Sequence, residues 1–248
     1  MALKKSLDCS LSLVFFALVF SFFIILGFGS AAPVPPDSIG IISNETSVTP
    51  SAVSINISGG RIATINLTTN TQNTRWKAFV GNVTGSFSLD DASGSTIYDW
   101  SLTTISGEIY ATTNSSTITW STVNCSNVTT LEFENTKMSH SNIADNITRT
   151  FNRGINGTHD QFFVGALAIA QNTCPTLNTY VGNSTQDSSF EEIALYESAG
   201  NNIVYASIME PEVEGFDGNS YDFQMIVPEN GALGFTSSTA YYLYVELT

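Results

Sequence analysis

Only two histidines, His140 and His159, are available for acid–base or nucleophilic chemistry. The stretch "NGTHDQ" places Asp160 beside His159, but neighbouring residues on a strand point to opposite faces, so this pair does not predict a catalytic triad. The sequence has no Gly-x-Ser-x-Gly nucleophile elbow and no His-x-x-x-His pair for zinc. We therefore expect a protein that is not an enzyme and has no catalytic residues.

Carboxylates and aromatic residues come together in "RWKAFVGNVTGSFSLDDASGSTIYDW". A glycosidase needs two facing carboxylates beside the sugar, and Asp90, Asp91 and Asp99 lie near Trp76 and Trp100. However, "LDDASGS" has the Asp and Gly residues that turns require. Trp76 and Trp100 fit core anchors at alternating positions along a strand. We expect core anchors around a turn, and the alternative is a sugar-binding face.

The stretch "EPEVEGFDGNSYD" is the best candidate for a metal site. Calcium takes six to eight oxygen ligands, and glycines allow this loop to bend. The spacing matches no EF-hand, so the alternative is a solvated acidic loop. The predicted calcium ligands are Glu212, Glu214, Asp217, Asn219 and Asp222.

The charge is strongly negative and unevenly distributed. The chain has 22 acidic and 8 basic residues, for a net charge of −14. Such a surface repels nucleic acids and anionic lipid headgroups, so we expect no nucleic-acid partner. From Gly154 onward there are 12 acids and no Lys or Arg. This asymmetry predicts divalent cations, an acid-rich environment or a complementary partner surface.

The N-terminal segment has the pattern of a secretory signal peptide. Lys4 and Lys5 precede an apolar run from about Leu11 to Phe28, and small residues follow. We expect cleavage near Ala31, which assigns residues 1–31 to the signal. The mature chain would then be extracellular or on the cell surface, with no membrane contact. The alternative is a retained anchor, since about 18 apolar residues can span a bilayer.

Two further features suit an oxidising compartment. Cys9 leaves with the signal, and the remaining Cys125 and Cys174 are predicted to form a disulfide worth about 4 kcal/mol. Two buried thiols or an intermolecular bridge are the alternatives.

Sequons for N-glycans, which must face solvent, are more frequent than composition explains. They lie at Asn44, Asn56, Asn66, Asn82, Asn114, Asn124, Asn127, Asn146, Asn156 and Asn183. None follows Asn183, so a stretch without glycans overlaps the acidic part and is a surface where another chain could dock.

The secondary structure that would position these residues is β throughout. Short runs rich in β-branched and aromatic residues alternate with Gly, Asn and Ser, which predicts an all-β fold. We expect an antiparallel β-sandwich, jelly-roll or Greek-key-like, of about 10–13 strands in one domain over 51–248, after an extended leader over 32–50.

Individual elements can also be assigned. Strands are predicted at "SINIS", "GRIATINLTT", "SGEIYATT", "STITWSTV" and "TLEFE". In "TIYDWSL", Tyr98, Trp100 and Leu102 form one apolar face. "FEEIALYESAGNNIVYASIM" predicts a hairpin, and "YDFQMIVPENGALGFTSSTAYYLYVEL" predicts two longer paired strands. "QFFVGALAIAQ" fits a short helix or a buried strand equally well.

Together, the signal, "WKAFVGNVTGSFSLDDASGSTIYDW", the Cys pair, "FEEIALY…NIVYASI" and "YDFQMIVPENG…YYLYVEL" resemble secreted, heavily N-glycosylated surface proteins of archaea. More loosely, the chain is similar to β-sandwich subunits of extracellular filaments of the bundling-pilus and thread type. That resemblance implies polymerisation, in which an extended terminal strand completes the sheet of the next subunit.

The leader suits this mode of assembly, because "SIGIIS" supplies Ile39, Ile41 and Ile42 for the pockets along an open sheet edge. The function predicted from the sequence is a structural glycoprotein whose partners are identical subunits in a head-to-tail polymer. The alternative is a monomeric adhesin or carbohydrate-binding module that recognises surface glycans.

Overall fold

The structure is a computed structural model that describes residues 32–141, 143–152 and 158–248. The predicted signal peptide and the sequon at Asn156 lie outside these residues. The described strands are β1 Trp76–Gly81, β2 Ser86–Asp90, β3 Thr96–Ser101, β4 Gly107–Thr112, β5 Val123–Cys125, β6 Phe162–Val164, β7 Leu167–Ile169, β8 Thr176–Leu177, β9 Thr179–Val181, β10 Ser184–Gln186, β11 Glu192–Glu197, β12 Asn202–Ile208, β13 Val213–Glu214, β14 Ser220–Tyr221, β15 Phe223–Pro228 and β16 Tyr242–Leu247. The helices are α1 Val128–Lys137, α2 Ile147–Thr150 and a 3-10 turn Trp120–Thr122.

A six-stranded antiparallel sheet forms the centre of the fold. Its order is β16-β4-β12-β11-β5, and β8 also pairs with β11. The remaining strands form two-stranded ribbons, β1-β15, β2-β3, β6-β7, β9-β10 and β13-β14. The predicted all-β class is confirmed, and the finer jelly-roll or Greek-key order stays a prediction.

Both faces of the central sheet are buried. Along β4, Ile109 and Ala111 face a core that α1, α2 and the ribbon β1-β15 cover. Tyr110, between them, faces a second core that includes the ribbon β6-β7. Because side chains alternate across a strand, apolar residues at consecutive positions bury a strand on two sides.

Local turn chemistry forms the hairpins. The predicted hairpin β11-β12 is confirmed, and its turn places Asn201 at φ 57°, a conformation that Asn tolerates. The Glu197 carboxylate closes this turn by accepting hydrogen bonds from Gly200 N and Asn202 Nδ2. "QFFVGALAIAQ" forms the ribbon β6-β7, in which Gly165 at φ 58° begins the two-residue turn.

Four sequence predictions of secondary structure are wrong. "TLEFE" is part of α1, because the Asn127 side chain caps this helix in a capping box with Thr130. "STITWSTV" gives the 3-10 turn and only the start of β5. "SINIS" and "GRIATINLTT" form no strands, since they pair with no other part of the described chain.

The expected pairing of the last two long strands is also wrong. Strand β15 pairs with β1, whereas β16 pairs with β4 at the edge of the central sheet. The connection after Pro228 therefore carries the chain from the covering ribbon to the sheet. Both segments are strands, as predicted, but the sequence pattern of a strand does not identify its partner.

The predicted disulfide is present. Cys125 and Cys174 are bonded, with Cα atoms 4.8 Å apart and 49 residues of sequence separation. The bond joins β5, at one side of the central sheet, to the segment that precedes β8. It therefore ties the second core to the sheet edge.

Candidate interaction surfaces

The first described residues lie on the edge of the central sheet. Val34 and Val245 form an antiparallel bridge, with Val34 N to Val245 O at 3.0 Å and Val245 N to Val34 O at 2.8 Å. Pro33 is buried, and Ala32 lies beside Gly165 in the turn of β6-β7. The start of the predicted leader is thus attached to its own domain through β16.

The pairing with β16 stops after a single bridge for a chemical reason. In an antiparallel register, Pro36 would face Leu243, two residues before Val245. Proline has no N–H, so it cannot donate to the Leu243 carbonyl oxygen. Because hydrogen-bonding directions alternate along β16, the N–H and C=O of Leu243 point away from β4. Among the described residues no strand pairs with this position, so the sheet edge is open there.

A long exposed segment follows this bridge. Residues 35–75 contain no helix or strand, and residues 37–74 are exposed throughout. The predicted donor residues Ile39, Ile41 and Ile42 are 63%, 85% and 100% exposed. The structure does not bring them onto a sheet edge of their own chain. Ordered domains seldom contain loops of this length without a function, so the segment is a candidate for binding.

The hairpin β2-β3 is a second exposed surface, and it corrects the core assignment of "TIYDWSL". Tyr98 and Trp100 are exposed to 56% and 50%, because β2 and β3 pair only with each other among the described strands. Trp76 behaves as predicted, since it packs against the first core and donates from Nε1 to Asp145 O at 3.0 Å. The turn "LDDASGS" is confirmed by the Asp91 carboxylate, which accepts from Ser93 N and Ser95 N.

The predicted calcium ligands do not surround a common point. The buried Asp222 carboxylate accepts from Val83 N at 2.8 Å and Glu212 N at 2.9 Å. Asp217 is occupied in its own turn by Asn219 N at 3.0 Å. No group of three or more His, Cys, Asp or Glu side chains in the described ranges is arranged to hold a metal ion. The calcium site stays a prediction.

Both histidines are buried and have structural partners. His140 Nε2 lies 2.7 Å from Glu229 O, and its ring packs edge-on against Trp76. Burial lowers the pKa of His140. His159 Nε2 accepts from Thr173 N and Cys174 N, both at 3.0 Å, so Nδ1 carries the proton and donates to the Asp160 carbonyl oxygen. The partner of this imidazole is a backbone oxygen rather than a carboxylate.

Buried carboxylates are the feature that sequence reasoning missed. Glu108 and Glu246 are directly opposite each other on β4 and β16, and both are buried. Glu246 accepts from Gly165 N at 2.9 Å, and the Tyr110 hydroxyl donates to Glu246 at 3.0 Å. Burial, and secondarily the charge of Glu246, raises the pKa of Glu108 to about 8. The sequence feature that could have predicted this pair is a Glu within a run that is apolar enough to form a strand buried on both faces.

The acidic second half has a partial structural explanation. Glu192 is fully buried and accepts from Ile226 N at 2.8 Å, and burial raises its pKa. Glu197, Asp222 and Glu246 are also buried and accept backbone N–H groups. Several of the acids therefore bind the protein's own amides, which need an acceptor when buried.

The predicted glycosylation sites differ in accessibility. Most of the sequon asparagines that the structure describes are exposed, and Asn114 is half-buried. Asn146 is the exception, since it is only 9% exposed and its side chain accepts from Arg149 N at the start of α2. An N-glycan needs solvent on one side of its asparagine, so Asn146 is a poor acceptor in the folded protein.

No family model, curated protein or solved structure matches this chain. Within the described residues, no helix is long and apolar enough to cross a membrane. The candidate site is therefore defined by the chain's own surfaces, namely the open edge at Leu243, the exposed segment 37–74 and the hairpin β2-β3.

Proposed function

We propose that the protein is a structural extracellular glycoprotein, and that it forms a cell-surface or secreted filament by strand donation between identical subunits. The observation that supports this most directly is the exposed segment after Val34. A chain that leaves Ile39, Ile41 and Ile42 in water loses about 1.5–3 kcal/mol for each side chain that could otherwise be buried. Docking on a neighbouring subunit would recover that energy.

The acceptor in this proposal is the open edge of β16. Leu243 offers an N–H and a C=O, and an added strand would pair with both. The donor "SIGIIS" begins only two residues after Pro36 and contains no proline of its own. A donor strand from another subunit can therefore continue the hydrogen-bonded pairing with β16, which Pro36 interrupts within a single chain. A strand donated in this way would also cover an edge that otherwise invites unspecific association.

Electron microscopy of the natively secreted protein tests this proposal. We expect uniform fibres, with sugar density at exposed sequons. Calcium at a subunit contact predicts that a chelator dissolves the fibres. Deleting residues 38–49, which keeps Pro33 and Val34 in place, should give a folded subunit that does not polymerise. Single particles from the unaltered protein, or fibres from the deletion variant, would contradict strand donation by this leader.

The alternative function, a monomeric surface-displayed adhesin or carbohydrate-binding module, would depend on the exposed side chains of the hairpin β2-β3. Half-exposed Tyr98 and Trp100 are side chains of the type that pack against sugar rings. This function predicts single particles that bind oligosaccharides on a glycan array. Replacing Trp100 with Ser should then abolish binding without unfolding the protein.

A further inference from the structure

The hairpin β2-β3 presents an apolar face that the rest of the described chain leaves exposed. Phe87 pairs with Trp100, and Leu89 pairs with Tyr98, so all four side chains lie on the same face. Their exposed fractions lie between 41% and 56%. An isolated two-stranded ribbon is marginally stable in water, and a contiguous exposed apolar patch marks an interaction site. The ribbon therefore needs a partner that adds both a strand and apolar surface.

A second uncovered surface lies in the exposed segment. Val53, Ile55 and Ile57 alternate with polar residues and are 95%, 70% and 49% exposed. In an extended conformation these three side chains share one face, whereas Asn56 lies on the other. A glycan on Asn56 would leave the apolar face free. The stretch Val53–Ile57 has five residues, which is the length of β2.

Resting on the proposed association of identical subunits, we propose that Val53–Ile57 of one copy docks as a third strand on the hairpin β2-β3 of a second copy. Among the described strands β2 and β3 pair only with each other, so each has a free edge. The added strand would form main-chain hydrogen bonds there and would continue the apolar face with its own three side chains.

Charge complementarity favours a copy of this chain as the occupant. Residues 82–104, which contain the hairpin, carry Asp90, Asp91 and Asp99 but no Lys or Arg. Residues 51–74 carry Arg61 but no acid, in a chain whose net charge is −14. Hydrogen bonds from Thr96 and Ser88 lower the pKa of Asp90, so this carboxylate is ionised at neutral pH. Opposite charges at the rim of a contact guide its formation.

The geometry of the aromatic rings disfavours a sugar as the occupant. The Tyr98 and Trp100 ring centroids are 4.7 Å apart, and the planes are inclined at 61°. Two rings in this edge-on arrangement do not form a flat platform for a sugar chain. They form a ridged apolar surface, against which aliphatic side chains such as Ile55 can pack.

Cysteine cross-linking tests which chains meet. One preparation carries Ile55→Cys and another carries Leu89→Cys, and the two are mixed under oxidising conditions. We expect cross-linked dimers that join the two preparations. Ser54→Cys is the matched control, because Ser54 is adjacent but lies on the opposite face of the same stretch, and it should cross-link far less with Leu89→Cys. Equal yields from both positions would overturn the proposal. A cross-link that forms only within a chain carrying both cysteines would also overturn it, in favour of an intramolecular contact.

A surface variant separates this inference from the proposed function. The double variant Tyr98→Ser/Trp100→Ser should lose assembly, while Phe133→Ser/Tyr180→Ser, two aromatics exposed to 56% and 55% elsewhere, should retain it. Circular dichroism and the intact disulfide verify folding of both variants. Fibres that persist in the hairpin variant would overturn this inference and leave strand donation standing. Absence of assembly by the unaltered protein would overturn both, and oligosaccharide binding that requires Trp100 would assign the hairpin to glycans.

Discussion

Replacing Glu108 with Gln should remove the dependence of stability on pH that this buried carboxyl group contributes. Glu108 is 5% exposed and directly opposite the buried Glu246. Its pKa is raised from 4.5 to about 8, first by burial and then by the charge of Glu246. Between these two values the folded protein holds a proton that the unfolded chain releases. Stability is therefore greatest below pH 4.5 for this group and declines as the pH rises to about 8.

The size of this effect follows from the shift. Each pH unit within the window removes about 1.4 kcal/mol, so one group accounts for up to about 5 kcal/mol between pH 4.5 and 8. Gln cannot ionise and has nearly the shape of the protonated acid. The variant Glu108→Gln should match the unaltered protein near pH 4.5 and exceed its free energy of unfolding by up to about 5 kcal/mol above pH 8.

Urea denaturation at a series of pH values from 4 to 9 measures this difference. Other acids also titrate in this range, among them the half-buried Glu191, whose pKa burial raises to about 7. These acids contribute equally in both proteins, so their contribution cancels when the free energy of unfolding of the unaltered protein is subtracted from that of Glu108→Gln. Glu132→Gln, on the exposed face of α1, is the control and should leave the profile unchanged. A difference between Glu108→Gln and the unaltered protein that does not vary with pH would refute the reasoning.

The remaining predictions concern the disulfide, a glycine, a helix cap and the sequons. Replacing both bonded cysteines with Ser should lower the free energy of unfolding by about 4 kcal/mol, and an unchanged urea midpoint would contradict this. Gly107→Ala should lower the free energy of unfolding by about 3 kcal/mol or more, because φ is 126° and a Cβ would overlap the backbone of β16. Thermal denaturation measures this loss, and a near-neutral effect would be inconsistent with this backbone conformation. In unglycosylated protein, Asn127→Ala should cost about 1 kcal/mol through the lost cap, whereas Asn127→Asp should keep it; equal losses would argue against capping. Peptide mass spectrometry should find sugar on the sequons of the segment 37–74 and none at Asn146; occupancy at Asn146 would show that glycosylation precedes folding there.

Sequence patterns predicted elements well where the structure is local. The hairpin β11-β12 has two strand-forming runs around a Gly-Asn turn, and all of this information lies within twenty residues. The turn after Leu89 was likewise predictable from neighbouring residues alone. The prediction failed for α1, where the capping side chain of Asn127 decided between helix and strand. A run as short as "TLEFE" fits both the period of a helix and the period of a strand.

The exposed surfaces were predictable only in part. Alternation correctly marked "TIYDWSL" as a strand, but it could not show that the ribbon β2-β3 lacks a covering layer. "SINIS" has the same alternation and is not a strand, because no partner is available to it within the described chain. An apolar face predicts that a surface will be buried, but it does not identify the segment or molecule that buries it.

By itself, the sequence determined the all-β class, the disulfide pair, the local hairpin β11-β12 and the acidic character of the chain. These depend on residue type, on period and on neighbours a few positions apart. Only the tertiary structure decided that β16 pairs with β4, that Glu108 faces Glu246 across that pair, and that Val34 bridges to Val245. Each of these contacts joins residues more than a hundred positions apart, and the packing of the whole sheet fixes them rather than any local pattern.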